Sequence, residues 1–282
     1  MTGETVLTIG AAGHAAGHVV SSLAARGVRV RGLVRHASQR DAVLQRGAAE
    51  VVVGDLSQSD SVRSALADVA AIFYLAPAFI DDEASIGTSV VEQARQAGVR
   101  RFVFSSVIHP GLDLINHSAK APVESALYDS GMEYAVLQPA LFFQNFATSF
   151  HRAVSSGVLA EPWSAETRFS RVDYRDVAEV AALALTEDRL VGGTYELAAD
   201  GHLNRHDVAA LMSHAAGRPI SAQRLDPDTL TDVAPAMRAM FDHYEHSGLL
   251  STAVTLSAAL ERPPRTLLDY FHELAKETEQ YA

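Results

Sequence analysis

Thr5-Val-Leu-Thr-Ile-Gly10-Ala-Ala-Gly13-His-Ala-Ala-Gly17 is the stretch that decides the fold. An apolar run leads directly into a loop of small residues and then into an amphipathic segment, a pattern that predicts strand, tight loop and helix. Gly10 permits the tight turn, and Gly13 lets the backbone approach a pyrophosphate. The small pair Ala16 and Gly17 would let the helix pack closely on the sheet. Because the start of a helix carries free N–H groups and a positive dipole end, the loop is predicted to bind phosphates.

Outward from this loop, short apolar runs alternate with segments of helical spacing. Strands are predicted at residues 5–9, 28–34, 50–53, 71–75, 101–105 and 134–138, and helices at 15–25, 60–67 and 84–97. Strands that are almost continuously apolar, each followed by a helix, predict a parallel sheet covered on both faces. With right-handed crossovers, the predicted fold class is α/β, a doubly wound parallel Rossmann sheet.

The alternation weakens after Pro139. Loop and a short strand are expected at 159–169, a helix at 176–186, and a strand at 193–197 that returns to the sheet. From Gly201 onward the pattern is mostly helical, with a short strand near Ile220. We therefore predict a dinucleotide-binding Rossmann domain at residues 1–155, with a return near 170–198. Residues 199–282 are predicted to form a small, mostly helical C-terminal substrate lobe, partly interleaved with that domain.

Arg35 follows the second predicted strand, in Val34-Arg35-His36. NAD-binding domains of this type place an acidic residue there for the ribose hydroxyls, whereas a guanidinium can bind a 2′-phosphate through paired, charge-assisted hydrogen bonds. Arg35 therefore favours NADP(H) over NAD(H), and Arg40 could assist; a solvated surface arginine is the alternative. Asp55, in Gly54-Asp55-Leu56 after the third strand, could accept from the adenine amino group or serve as a cap or turn residue.

The composition excludes several classes of function. The 282 residues carry a net charge of −11, which argues against a uniformly basic nucleic-acid surface. The absence of cysteine excludes a disulfide, a thiolate metal site and a cysteine nucleophile. His243 and His246 have no other obvious ligand beside them, so no metal is expected. No apolar stretch reaches the ~18 residues of a transmembrane helix, and the N-terminus has no apolar signal core. We expect a cytoplasmic protein with neither membrane nor nucleic-acid partners.

Taken in order, the motifs of the chain resemble the NmrA-like group of atypical short-chain dehydrogenase/reductases. The resemblance covers most of the chain and rests on Gly10-Ala-Ala-Gly13-x-x-x-Gly17, Val34-Arg35, Gly54-Asp55-Leu56, Phe102-Val-Phe-Ser-Ser106, His117-Ser-Ala-Lys120, Glu133-Tyr-Ala-Val-Leu-Gln-Pro139-Ala-Leu-Phe-Phe-Gln-Asn145 and Val172-Asp173-x-Arg175-Asp176-Val177. It implies a Rossmann domain, NADP(H) binding and a small C-terminal lobe over the nicotinamide end. Members of the group include reductases of quinones, dyes and phenylpropanoid compounds, and proteins that bind the dinucleotide as a redox signal without turning it over.

The cofactor is expected to lie beyond the carboxyl ends of the strands, where sheets of this type bind their ligands. The resemblance implies in addition that Lys120 holds the ribose. Pro139 and Phe142, with Phe143, would wall the nicotinamide pocket or else pack in the core. The predicted cofactor-binding residues are Gly10, Ala12, Gly13, His14, Ala15, Arg35, Asp55, Leu56, Leu75, Ala76, Pro77, Ser105, Lys120, Pro139 and Phe142.

Carbonyl reduction in the wider superfamily uses a Tyr-x-x-x-Lys pair and a serine. This chain has Asn116 four residues before Lys120, and an asparagine amide cannot act as a general acid. His117 or Lys120 itself could supply the proton instead. The alternatives are a capping or surface histidine and a lysine that only holds the cofactor. On one helix the two residues would share a face, but Pro122 suits a first turn, so the helix could begin near Ala119 and leave His117 in a loop.

Ser105 and Ser106 end the fifth predicted strand. The superfamily serine could be either of them, or its place could be taken by Val107. The two hydroxyls could also do no more than satisfy backbone groups at the strand end. The candidate catalytic residues are Lys120, His117 and Ser106.

Two functions are open on the sequence. The first is an NADPH-dependent oxidoreductase that transfers hydride to a small apolar carbonyl, enone or quinone, with the protein supplying position and electrostatics. The second is a non-catalytic NADP(H) sensor that binds a protein partner, and Asn116 in place of tyrosine is its best support. A homo-oligomer is compatible with both, and fold alone does not choose between them.

Overall fold

The computed structural model describes residues 4–77, 80 and 82–280. Its strands are β1 (Thr5–Ile9), β2 (Arg29–Val34), β3 (Glu50–Val53), β4 (Val69–Leu75), β5 (Arg101–Ser105), β6 (Glu133–Pro139), β7 (Leu141–Phe142), β8 (Val158–Glu161), β9 (Arg171–Val172), β10 (Gly193–Leu197) and β11 (Ser221–Arg224). Its helices are α1 (His14–Ala25), α2 (Arg40–Gln45), α3 (Ser59–Ala65), α4 (Glu83–Gln96), α5 (Ile115–Ser118), α6 (Ala121–Tyr128), α7 (Ala147–Ser156), α8 (Tyr174–Thr186), α9 (Arg205–Ala216), α10 (Pro235–His246), α11 (Val254–Leu260) and α12 (Leu267–Gln280).

Contacts divide the described chain into two units. The first unit is drawn from Met1–Gln138 and Tyr174–Tyr195, and the second from Pro139–Asp173 and Glu196–Ala282. It stays a prediction that residues 1–155 bind the cofactor and that residues 199–282 bind the substrate.

The first unit is built on a seven-stranded sheet with the order β10-β6-β5-β4-β1-β2-β3. The pairings of β1 with β2 and β4, of β2 with β3, and of β5 with β4 and β6 are all parallel. The chain winds outward in one direction from β1 to β3 and in the other from β4 to β6, so the switch point lies between β1 and β4. The predicted doubly wound parallel sheet is confirmed.

The central strands carry apolar residues on both faces, and helices therefore pack on both faces of the sheet. All five residues of β1 and of β5 are buried. Leu7 and Ile9 belong to a core that also includes side chains of α3, α4 and α6. Because successive residues of a strand point to opposite faces, Val6 and Thr8 face the other layer, where α1 packs on α8. This double cover keeps the strands rigid and leaves their carboxyl ends to form a site.

The second unit has a separate, mostly helical core. Phe146 and Phe150 pack on Phe271 of α12, with ring centroids 5.7 and 5.4 Å apart, and α9 completes the core. Phe143 is buried in the same core, so core packing accounts for this side chain. Two small parallel sheets pair β8 with β11 and β7 with β9. Within the described chain, every helix is too short or too polar to cross a membrane.

Candidate functional site

The glycine loop takes the geometry that the sequence predicts. Gly10 has a φ of +83°, and a Cβ atom there would lie 3.3 Å from the Leu75 carbonyl oxygen. The Gly13 N–H donates to the Gly10 carbonyl at 2.8 Å, which closes the turn. Helix α1 starts at His14, and no side chain caps its first turn. The loop therefore presents helix-terminal N–H groups that suit a phosphate.

Arg46 lies against this loop, and the sequence pattern does not reveal it. Its Nη1 atom donates to the carbonyl oxygens of Ala11 at 3.1 Å and Gly13 at 3.2 Å. The guanidinium also fills the space that a Cβ atom on Gly17 would occupy. The sequence pattern predicts that a glycine at position 17 lets α1 pack closely on the sheet. That prediction is wrong, because the space beside the Gly17 Cα atom is occupied by Arg46. Carbonyl oxygens held in this way keep the loop in one conformation.

Gly17→Ala is expected to displace the Arg46 guanidinium from the loop. The dissociation constant for NADPH should rise about three- to tenfold, since partly exposed charge-assisted hydrogen bonds are lost. Arg46→Ala should give a similar loss, and the double variant no further loss, because both changes remove one interaction. Fluorescence titration with NADPH measures all three. Gly111→Ala is the matched control, since a Cβ atom there meets nothing within 4 Å. Additive losses would contradict the shared interaction.

A cavity of about 440 Å³ opens at the carboxyl ends of β1 to β4. This edge contains the switch point of the sheet, where ligands of doubly wound folds bind. Nine predicted cofactor residues line it: Gly10, Ala12, Gly13, Arg35, Asp55, Leu56, Leu75, Ala76 and Pro77. The lining also includes residues that were not among the predicted cofactor-binding residues, namely Ile9, Leu33, Val34, Gln39, Gly54, Ser57, Ile80 and Ile86. Among the described residues, the other six predicted cofactor-binding residues lie outside this lining: His14, Ala15, Ser105, Lys120, Pro139 and Phe142.

Arg35 and Asp55 bring opposite charges to the same cavity. Arg35 is exposed, and its backbone N–H donates to the Gln39 side chain at 3.1 Å. The Asp55 Oδ1 atom accepts from the Ser57 N–H at 2.9 Å and the Ser57 hydroxyl at 2.8 Å. These hydrogen bonds, with a smaller effect of the nearby positive charge of Arg35, hold the pKa of Asp55 below its usual value. Asp55 is thus a turn residue, as one of the two predicted roles requires. Its carboxylate also lies at the cavity wall.

Lys120 forms a buried ion pair with Glu83, the first residue of α4. Only 7% of the Lys120 side chain and 2% of the Glu83 side chain are exposed. Close by, burial and the negative charge of Glu83 raise the pKa of the Tyr74 hydroxyl. Glu83 was not predicted, because 37 residues separate it from Lys120 and no local motif links the two. The ammonium group is fixed in place; its contact with a ribose stays a prediction.

His117 is buried, with 1% exposure, so the alternative of a surface histidine is wrong. Its Nδ1 atom lies 2.8 Å from the Ile108 carbonyl oxygen, and because a carbonyl only accepts, Nδ1 carries a proton. The residue lies in the short helix α5 rather than in a loop. Pro122 stands in the first turn of α6, as its missing N–H predicts. In the neutral ring, Nε2 is therefore an acceptor.

Ser106 donates its hydroxyl hydrogen to a buried carboxylate and not to a backbone group at the end of the strand. The Oγ atom lies 2.5 Å from Glu124 Oε1, and Gln138 Nε2 donates to the same oxygen at 2.9 Å. The Tyr128 hydroxyl donates to Glu124 Oε2 at 3.1 Å. Lys120 is the N-cap residue of α6 and Glu124 lies four residues later, so the two buried side chains leave the helix on the same side. Ser105 is buried at the end of β5.

Two predicted residues belong to the second unit. Pro139 ends β6, and Phe142 lies in β7, which pairs with β9. The small sheet therefore places Phe142, whereas Pro139 ends a strand of the seven-stranded sheet. Across the described residues, no group of three or more His, Asp or Glu side chains is arranged to hold a metal ion.

Comparisons with known proteins agree with this architecture. The sequence profile of the NmrA-like family matches residues 2–270. An NAD(P)H azoreductase of Xenophilus azovorans is 26% identical, with 94% of this chain and 96% of that protein covered. A photosystem II assembly factor, Ycf39, of Guillardia theta is 26% identical over 78% of this chain and 73% of that protein. A crystal structure of an NADPH-dependent quinone oxidoreductase of Escherichia coli, in complex with NADPH, shares the fold with a TM-score of 0.84 at 23% identity, with 95% and 99% covered. The chain belongs to the NmrA-like family.

Proposed function

We propose that this protein is an NADPH-dependent reductase that transfers hydride to a small apolar carbonyl, enone or quinone. The observation that carries the proposal is the cavity at the switch point, in which the glycine loop and an exposed arginine lie together. Relatives that are named as an NAD(P)H azoreductase and a quinone oxidoreductase support the class of reaction.

The residues present fit NADP(H). The positive φ of Gly10 and the short distance from its would-be Cβ to Leu75 show a cradle built for close backbone approach. Loop residues 10–15 would hold the pyrophosphate, and Arg35 the 2′-phosphate. Asp55 and Leu56 would border the adenine. When bound, NADPH supplies the hydride.

The remaining task of the chain is to place a charge and a proton beside the acceptor oxygen. Lys120 holds a fixed positive charge at the start of α6, where it would bind the ribose. His117 donates from Nε2 only when the ring is doubly protonated, because Nδ1–H is held by Ile108. Ser106 donates its hydrogen to Glu124, so its Oγ atom has only lone pairs left and would not donate a hydrogen bond to the acceptor oxygen.

Oxidation of NADPH in the presence of an acceptor panel tests the proposal. Quinones, enones, ketones and azo dyes are offered in turn, and the absorbance of NADPH is followed. At least one acceptor should speed oxidation above buffer, with NADPH preferred over NADH. His117→Ala should lower kcat and leave the affinity for NADPH unchanged. Tight binding of NADPH with no acceptor-dependent oxidation would sink the reductase proposal.

The second candidate is an NADP(H) sensor without turnover. Asn116 at the usual tyrosine position favours it, as does the relative named as an assembly factor. A sensor must bind NADP⁺ and NADPH with different affinities and pass that difference to a partner protein. Equal affinity for the two redox forms would remove this candidate.

A further inference from the structure

Arg101, Arg171 and Arg205 are buried, and two of them are fully engaged. Arg101 bonds to Glu133 and Asp188 and to two backbone carbonyls. Arg205, in the second unit, bonds to Glu161 at 3.3 Å and to the carbonyl oxygens of Gln223 and Trp163 at 2.9 and 2.7 Å. This is the usual condition of a buried guanidinium, because an unpaired buried charge is costly.

Arg171, in β9 of the second unit, departs from this pattern. It is 6% exposed, and its side chain forms no hydrogen bond or ion pair with any residue that the structure describes. Its guanidinium carbon instead lies 4.4 Å from the ring centre of Phe146 and 5.4 Å from that of Phe169. Of its three nitrogens, only Nε is fully enclosed without a partner, so Nη1 and Nη2 keep some access.

The surroundings leave this charge uncompensated. Burial lowers the pKa of Arg171 to about 10, although the negative charge of Glu161 acts in the opposite direction. Glu161 itself is bonded to Arg205. Two cation–π contacts recover only part of the free energy that removing a cation from water costs. At neutral pH Arg171 is thus a charged fork within cation–π distance of two rings, and its hydrogen-bond donors have no acceptor among the described residues.

We propose that Arg171 is an anion-binding residue of the second unit, which takes the carboxylate or phosphate monoester group of a small ligand. A planar guanidinium matches such oxyanions through two parallel hydrogen bonds. Contacts with Phe146 and Phe169 and burial restrict the Arg171 side chain, so little side-chain entropy is lost on binding.

Binding of simple anions to the whole protein tests the site without turnover. Benzoate, phenyl phosphate and neutral benzamide are titrated by calorimetry, and the better of the two anions identifies the preferred oxyanion. Trp163 is the single tryptophan and lies 6.3 Å from Phe169, so its fluorescence reports binding beside Arg171. At least one anion should bind ~10-fold or more tightly than benzamide. No measurable binding of either anion, or equal binding of benzamide, would overturn the proposal.

Variants assign the effect to Arg171. Arg171→Gln should weaken the preferred anion ~10-fold or more and leave benzamide unchanged. Arg171→Lys, which keeps the charge but not the fork, should give an intermediate affinity. Arg168→Gln is the matched control: its side chain is 53% exposed, and anion affinity should stay within about twofold. Equal losses in the Arg168 and Arg171 variants would indicate general surface charge and contradict the site.

Discussion

Arg35→Ala is expected to raise the dissociation constant for NADPH by about 10- to 100-fold and to leave that for NADH nearly unchanged. Paired charge-assisted hydrogen bonds to a 2′-phosphate contribute about 1.5–3 kcal/mol, which corresponds to this factor. NADH has no such phosphate and loses nothing. Arg35 is exposed at the cavity wall, so its removal should not disturb the fold. Fluorescence titration with the two nucleotides measures the change.

Arg29→Ala is the matched control for this prediction. Arg29 starts β2, the same strand that Arg35 follows, and its exposed side chain lies 3.8 Å from Glu50. It lies at the amino end of the strand, outside the cavity lining, so both nucleotide affinities should be unchanged. If Arg35→Ala lost NADPH and NADH affinity equally, Arg35 would support the cavity wall and would not bind the 2′-phosphate.

Removal of one partner of the Glu83–Lys120 pair is expected to lower the free energy of unfolding by about 3–5 kcal/mol. Both side chains are almost fully buried, so Glu83→Leu leaves an unpaired ammonium and Lys120→Met leaves an unpaired carboxylate. The double variant should lose much less than the sum, because it leaves neither charge. Urea unfolding without nucleotide measures the cycle.

An exposed pair on the same helix provides the comparison. Glu92 and Arg95 of α4 are bonded at 2.7 Å, with half of each side chain exposed. Replacing Glu92 with alanine should not change the unfolding midpoint measurably, because solvent screens such pairs. If Glu83→Leu were as mild as this surface change, the buried pair would not be important for stability.

Much of the architecture was predictable from local pattern. The apolar strands, the glycine after β1 and the segments of helical spacing lie within short windows, so each signals its structure without the rest of the chain. The doubly wound sheet then follows from right-handed crossovers. The predicted positions of Gly10, Arg35 and Asp55 follow for the same reason, since residues just after parallel strands must meet at one edge.

Side-chain partners were the part that local pattern could not predict. Arg46 contacts a loop 33 and 35 residues earlier in the chain, and Gly17 is small for that contact. Glu83 meets Lys120 across 37 residues. The position of His117 in the sequence suits a surface or a catalytic histidine. Tertiary packing is what buries the side chain and brings its Nδ1 atom to the Ile108 carbonyl oxygen. Such contacts depend on strand register and helix placement.

The sequence by itself determined the α/β fold, the phosphate loop and the candidate NADP(H) edge of the sheet, because these depend on the periodicity and conformational freedom of neighbouring residues. Only the tertiary structure decided which charges are compensated. Arg101 and Arg205 are hydrogen-bonded at every nitrogen, whereas Arg171 lies against two rings and has no acceptor among the residues that the structure describes. The sequence does not distinguish these three arginines. What distinguishes them is the set of distant groups that folding brings within hydrogen-bond reach, and that set depends on the packing of the whole unit.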